Sequence, residues 1–171
     1  MIGEVIKNFL RFLVFTLIQV SIIKHLDLGI FITPFPYVIF ILMLPINMDK
    51  GWVILIAFIC GLIIDMFYNS LGINAAACVL TAFFRPWVLR LYAPKGEYDS
   101  SSRPTLSSMG LGWMFSYAGT LVLLHHFMLF YLEAFTFSGF FITLAKVILS
   151  SMATLSLILL SQVFMEKTSV R

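Results

Sequence analysis

Few residues in this chain are equipped for chemistry, and most of those lie in apolar surroundings. Asp65, Glu133 and Lys146 fall inside or at the edges of long apolar runs. A charge at the centre of a bilayer costs about 3 kcal/mol, so each such group calls for a partner or a purpose. Lys146 either snorkels towards a headgroup layer or pairs with Asp65 or Glu133, which the run boundaries place at similar depth. Glu133 otherwise reads as an interfacial residue. Asp65 reads as a helix-end residue that touches headgroups or caps the next helix, with a packing or partner contact as the alternative. His125 and His126 are adjacent and so point to different helix faces. With no carboxylate or cysteine nearby they suit packing or helix–helix hydrogen bonding better than a metal. Cys60 and Cys78 stand in different runs without a CxxC spacing, which argues for packing rather than a disulfide framework or a zinc site.

Familiar catalytic patterns are missing. The sequence contains no HExxH and no phosphate loop, and no GxSxG. An intramembrane aspartyl protease needs a pair of membrane aspartates, and Asp65 stands alone. A proton or ion carrier normally shows a chain of buried carboxylates. The expectation is a non-enzymatic membrane component without cofactor or metal. The net charge of +3 gives little reason to expect nucleic acid as a partner.

The elements that must position these residues are membrane helices. Hydrophobic residues make up 61% of the 171 and charged residues 11%, with a mean hydropathy of +1.02. A soluble domain carries roughly 25% charged residues, and a small fold cannot hide so much apolar surface. A spanning helix needs about 20 apolar residues, so the expectation is an all-α integral membrane protein, a compact bundle of six spans in a single domain. The expected spans are 5–23, 28–46, 52–67, 72–92, 111–131 and 140–164, with a polar loop over 93–110. The first run reads as a permanent span ended by Lys24, His25 and Asp27, rather than a cleavable signal. The second is short in its unbroken core, Tyr37 to Leu44, between Pro34, Pro36 and Pro45, so a re-entrant segment is the alternative. Arg85-Pro86 predicts an end or kink of the fourth span.

Lysine and arginine gather on the cytoplasmic side of short loops. The six-span reading puts Lys7, Arg11, Lys50, Arg85, Arg90, Lys95, Arg103, Lys167 and Arg171 on one side and Lys24 alone on the other. Both termini are then cytoplasmic. A five-span reading with a re-entrant second segment splits the charges eight to two. Trp52, Trp87 and Trp113 share one interface only in the six-span reading, which favours it. Small residues recur at four-residue spacing, as in Gly72/Ala76, Ala77/Thr81, Gly112/Ser116 and Ser150/Thr154, and such pairs let helices approach closely. Asp65, Asn69, Gly72 and Asn74 cluster at one outer corner and form the candidate partner contact, directly or by supporting the contacting surface. Arg85, Arg90, Lys95 and Arg103 mark the candidate cytoplasmic docking region, which could equally be a solvated loop near anionic lipid.

The stretch Gly61 to Ala77, GLIIDMFYNSLGINAAA, resembles the signature of the MreD family. That pattern is a glycine, three apolar residues, an aspartate, a short turn, a leucine-glycine pair and an alanine-rich helix. The matching residues are Gly61, Asp65, Leu71, Gly72 and Ala75. The turn is shorter than the commonest form, and no proline precedes Leu71. The start MIGEVIKNFLRF, the segment FFRPWVLRLYAPKGEYDS and the histidine pair resemble one branch of the same family. The resemblance implies a bacterial inner-membrane scaffold of the rod-shape (elongation) complex, serving cell shape and peptidoglycan synthesis. Its implied partners are an MreC-like protein, then the RodA glycosyltransferase with its class B transpeptidase, and the MreB filament. It also implies likeness to the S-components of energy-coupling-factor transporters, so a small-molecule-binding transporter subunit is the alternative function.

Overall fold

The computed structural model describes residues 2–23, 29–94, 98, 103–136 and 139–169, with side chains described from 10 to 164 within those ranges. Lys24, His25, Asp27 and Lys95 lie outside the described residues, as do the side chains of Lys7, Lys167 and Arg171. The described residues are helical or irregular, with no strand among them.

The helices are α1 (Ile2–Ser21), α2 (Ile39–Leu42), α3 (Lys50–Tyr68), α4 (Ile73–Leu91), α5 (Leu106–Met109), α6 (Leu111–Ala134) and α7 (Phe140–Ser169). Among the described residues, three stretches are long and apolar enough to cross a membrane: Lys50–Tyr68, Leu111–Ala134 and Phe140–Phe164. This is a helical protein with the character of a membrane bundle. Helix α4 has 19 residues, about 28 Å at the α-helical rise, but it carries Arg85 and Arg90.

Helices α3, α4, α6 and α7 pack in chain order, each against the next. Their boundaries follow from local chemistry. Asp49 caps α3 by accepting from the Gly51 N–H at 2.8 Å. Asn69 closes it in the left-handed conformation at φ 53°, which asparagine tolerates. Gly72, at φ 84°, turns the chain into α4. Pro86 was expected to end or kink the fourth span, yet α4 runs through it to Leu91. The proline lacks the N–H that would have bonded Ala82.

The second expected span departs most from a regular helix. Residues 32–35 are irregular, Pro36–Val38 form a 3-10 turn, and α2 is a single turn of Ile39–Leu42. Pro34 and Pro36 account for this: each removes a backbone donor and disfavours helix in the residue before it. Every residue from Phe35 to Leu44 is nonetheless buried. The segment lies alongside α7. Phe31 bonds to Ser150, Phe35 to Thr154, and Met43 meets Gln162. Twelve residues of this segment thus match twelve of α7, about 18 Å along the helix axis.

Exposed backbone polar groups would be costly inside an apolar bundle, so they need internal partners. Ser150 and Thr154 supply them. The Ser150 Oγ accepts from the Thr33 N–H at 2.9 Å and donates to the Phe31 carbonyl at 3.2 Å. The Thr154 Oγ1 accepts from the Phe35 N–H at 2.9 Å. Gln19 of α1 donates to the Pro34 carbonyl at 3.4 Å and to the Tyr68 hydroxyl at 2.7 Å. The Ser150/Thr154 spacing, read in sequence as a close-approach pair, serves as a rail of hydroxyls for unwound backbone.

Candidate functional site

Polar groups concentrate at two levels of the bundle. The first is the α3–α4 corner. Gly61 of α3 sits against the backbone of α4. A Cβ added there would lie 2.7 Å from the Ala75 nitrogen and 2.8 Å from the Asn74 carbonyl, and would collide with the Ala75 Cα. One turn later, Asp65 reaches across to the start of α4. Its Oδ1 accepts from the Asn74 N–H at 3.0 Å and from the Asn74 side-chain amide at 3.1 Å. Its Oδ2 accepts from the Ala75 N–H at 2.9 Å, and the Ser70 hydroxyl also donates to Oδ1. Asp65 therefore caps α4 from a neighbouring helix, satisfying donors that the first turn leaves open. The favourable helix dipole adds to the same contact.

This geometry assigns the four candidate partner residues different places. Asp65 and Asn74 are buried and shape the corner without reaching its surface. Asn69 is exposed and Gly72 half-buried. The side chains that do project are Leu71, 100% exposed, and Met66, 79% exposed.

From Asn74 a buried network continues inward. Its Oδ1 accepts from the Tyr37 hydroxyl at 3.1 Å, and that hydroxyl lies 3.0 Å from His125 Nε2. Cys78 Sγ is 3.7 Å from the same hydroxyl. The neighbouring His126 Nε2 meets Thr154 Oγ1 at 3.0 Å, and its Nδ1 faces the Val122 carbonyl at 2.9 Å. The histidines thus link α6 to the unwound segment and to α7. No cluster of metal-binding side chains occurs among the described residues.

The second level surrounds Arg85. Its Nε donates to the Tyr117 hydroxyl at 2.9 Å. Its guanidinium also faces the carbonyls of Leu42, Leu44 and Pro45. Tyr117 in turn donates to the Leu42 carbonyl at 2.8 Å. A fork-shaped cation here satisfies the open carbonyls at the end of α2. Arg85 is 2% exposed, so it cannot belong to a docking surface. Arg90 and Arg103 are exposed. Lys95 lies outside the described residues. Tyr98 ties the loop to the bundle by donating to the Leu89 carbonyl at 2.7 Å. Burial raises the Tyr98 pKa above its ordinary value, so the hydroxyl stays a donor at neutral pH.

Lys146 Nζ lies 3.1 Å from Glu133 and 4.4 Å over the Phe130 ring. Asp65 is not in that pair, since its oxygens are taken up by Ser70, Asn74 and Ala75.

No protein-family model, curated protein or solved structure matches this chain. The function must therefore be argued from the residues themselves. Sequence reasoning singled out Asp65, Asn74, Arg85 and the histidines but missed Tyr37, which joins Asn74 to His125, Tyr117, which bonds Arg85, and Gln19, which holds the Pro34 carbonyl. The available signal was a polar side chain in an apolar run: Gln19 in the first run and Tyr37 between prolines in the second.

Proposed function

We propose that this chain is a non-catalytic scaffold of the bacterial inner membrane, of the MreD type. In this reading it passes the membrane six times with both termini cytoplasmic. The second pass is the buried, broken segment between α1 and α3. It supports peptidoglycan synthesis during elongation by binding an MreC-like partner. RodA with its transpeptidase, and the MreB filament, complete the surroundings.

The observation that carries this reading is the α3–α4 corner. Gly61, Asp65, Gly72 and Ala75, the residues of the resemblance, interlock as one device. Glycine permits the close approach, aspartate caps the second helix, and Gly72 makes the turn. The device holds Leu71 and Met66 outward as an apolar tip. Asp65, Arg85 and His126 are bonded within the bundle, which suits a protein whose product is shape. Depletion in its own host tests the role: rounded cells and loss of the MreC-like protein from the complex are expected. Normal rods after clean depletion would refute it.

A transporter-type binding subunit is the second reading, favoured by the unwound backbone at residues 32–35. Transporters place such breaks at their binding sites. Here Phe35, Tyr37, His125 and Phe130 fill that region, which ranks this reading second. Mass spectrometry of the purified protein for a vitamin-like ligand distinguishes the two.

A further inference from the structure

We propose that a one-way chain of hydrogen bonds joins the α3–α4 corner to His125, so that His125 and His126 are held in opposite neutral tautomers while the corner is intact. This deepens the partner reading above, and its use in the cell rests on that reading.

The chain takes its direction from Asp65. Four donors converge on this carboxylate: the Ser70 hydroxyl, the Asn74 N–H, the Asn74 side-chain amide and the Ala75 N–H. The Asn74 amide must therefore turn its NH2 towards Asp65, and the same NH2 donates to the Ser70 hydroxyl at 3.0 Å. That leaves Asn74 Oδ1 facing the Tyr37 hydroxyl at 3.1 Å. An amide oxygen only accepts, so the single phenolic proton goes to it. The Tyr37 oxygen then offers only lone pairs to His125 Nε2, 3.0 Å away. Nε2 must carry the imidazole proton. Cys78 Sγ, 3.7 Å from the hydroxyl and 3.9 Å from Nε2, is too weak a partner to reverse this order.

The other nitrogen of His125 supports the same assignment. Nδ1 is buried and has no partner among the described residues. A proton placed there instead would leave one donor unmet and set two acceptors, Nε2 and the Tyr37 oxygen, face to face.

His126 takes the opposite form. Its Nδ1 faces the Val122 carbonyl at 2.9 Å. A carbonyl only accepts, so Nδ1 carries the proton. Its Nε2 accepts from the Thr154 hydroxyl at 3.0 Å, and that hydroxyl in turn receives the Phe35 N–H. This second chain shares no member with the first.

Asn74, Tyr37 and His125 belong to α4, the broken segment and α6, so the first chain crosses three elements. Removing Asn74 Oδ1 frees the phenolic proton. The hydroxyl is then as able to donate to Nε2 as to accept from it, and the Nδ1–H form of His125 appears beside the Nε2–H form. His126 keeps its single tautomer.

Nitrogen NMR of the full chain in detergent, carrying isotope-labelled histidine, tests this, and removing each histidine in turn assigns the signals. The wild type should show His125 protonated on Nε2 and His126 on Nδ1. Asn74→Leu should mix the tautomers of His125 alone. Tyr37→Phe should do the same, and it carries the test if Asn74→Leu fails to fold. The same tautomer at both histidines of the wild type overturns the proposal. So does a single Nε2–H form of His125 in Tyr37→Phe, or an equal change at His126. In cells, the protein adduct from a photo-crosslinker at Leu71 should fall about fivefold in Tyr37→Phe, the factor of one net hydrogen bond. An undiminished adduct overturns the coupling to the corner. A folded wild type with the expected tautomers and no protein adduct overturns the partner reading instead.

Discussion

Asp65 of α3 and Asn74 of α4 are joined by a double hydrogen bond: one carboxylate oxygen accepts both the backbone N–H and the side-chain amide of Asn74, at 3.0 and 3.1 Å. Both residues are buried. This contact fixes the angle at which the two helices leave their turn. Asp65→Asn replaces one acceptor oxygen with a donor facing N–H groups. The loss should be about 2 kcal/mol, the upper end for a helix cap. Thermal unfolding in detergent checks it, and Asp65→Ala should cost at least as much.

Gly61 allows no side chain. A methyl group there meets the Ala75 backbone, which cannot move as a flexible side chain would. Gly61→Ala should therefore cost about 3 kcal/mol, at the high end for overpacking. The same unfolding measurement applies. A Gly112→Ala control, where an added Cβ meets nothing within 4 Å, should be neutral or slightly stabilising.

Arg85 works by its forked shape. It serves the Tyr117 hydroxyl and several carbonyls at the end of α2. Arg85→Met leaves those carbonyls buried and under-bonded, at roughly 1–3 kcal/mol for each group. Arg85→Lys should recover only part of the loss, because an ammonium lacks the planar fork. Protease accessibility of the segment between α1 and α3 should rise in both variants.

Lys146 and Glu133 should matter much less. Their side chains are 27% and 55% exposed, and exposed pairs contribute about 1 kcal/mol or less. Lys146→Ala should shift unfolding only slightly, with the shift shrinking as salt rises. A loss as large as that of Asp65→Asn would place this pair in a much drier setting than the structure gives it.

The long helices were legible because apolar runs of this length have few alternatives. Asp65 and Asn74 were legible as a cluster because a nine-residue separation across a tight turn brings them together. The second segment was harder. Its apolar run fits a buried helix, a re-entrant loop or a broken strand of chain equally well. What decides among them is tertiary: Ser150 and Thr154, more than a hundred residues away in sequence, supply the hydrogen bonds that let the backbone unwind. Arg85 was misread for a related reason. In sequence a basic residue beside proline looks like a helix end facing solvent. Its partners, Leu42 to Pro45 and Tyr117, come from distant parts of the chain. The motif residues had physical roles that no spacing rule expresses, since Gly61 matters through what lies against it.

In the proposed function, the α3–α4 corner presents an apolar tip to a protein partner. Leu71 is fully exposed at that tip, so changing it should leave folding intact. A photo-crosslinking amino acid at position 71, in growing cells, tests the claim most directly. One discrete adduct with an MreC-like protein is expected, weakened by Met66→Asp and absent when the crosslinker is placed instead at exposed Phe127 of α6. Adducts to lipid alone from position 71, in cells where the protein is folded and functional, would contradict it.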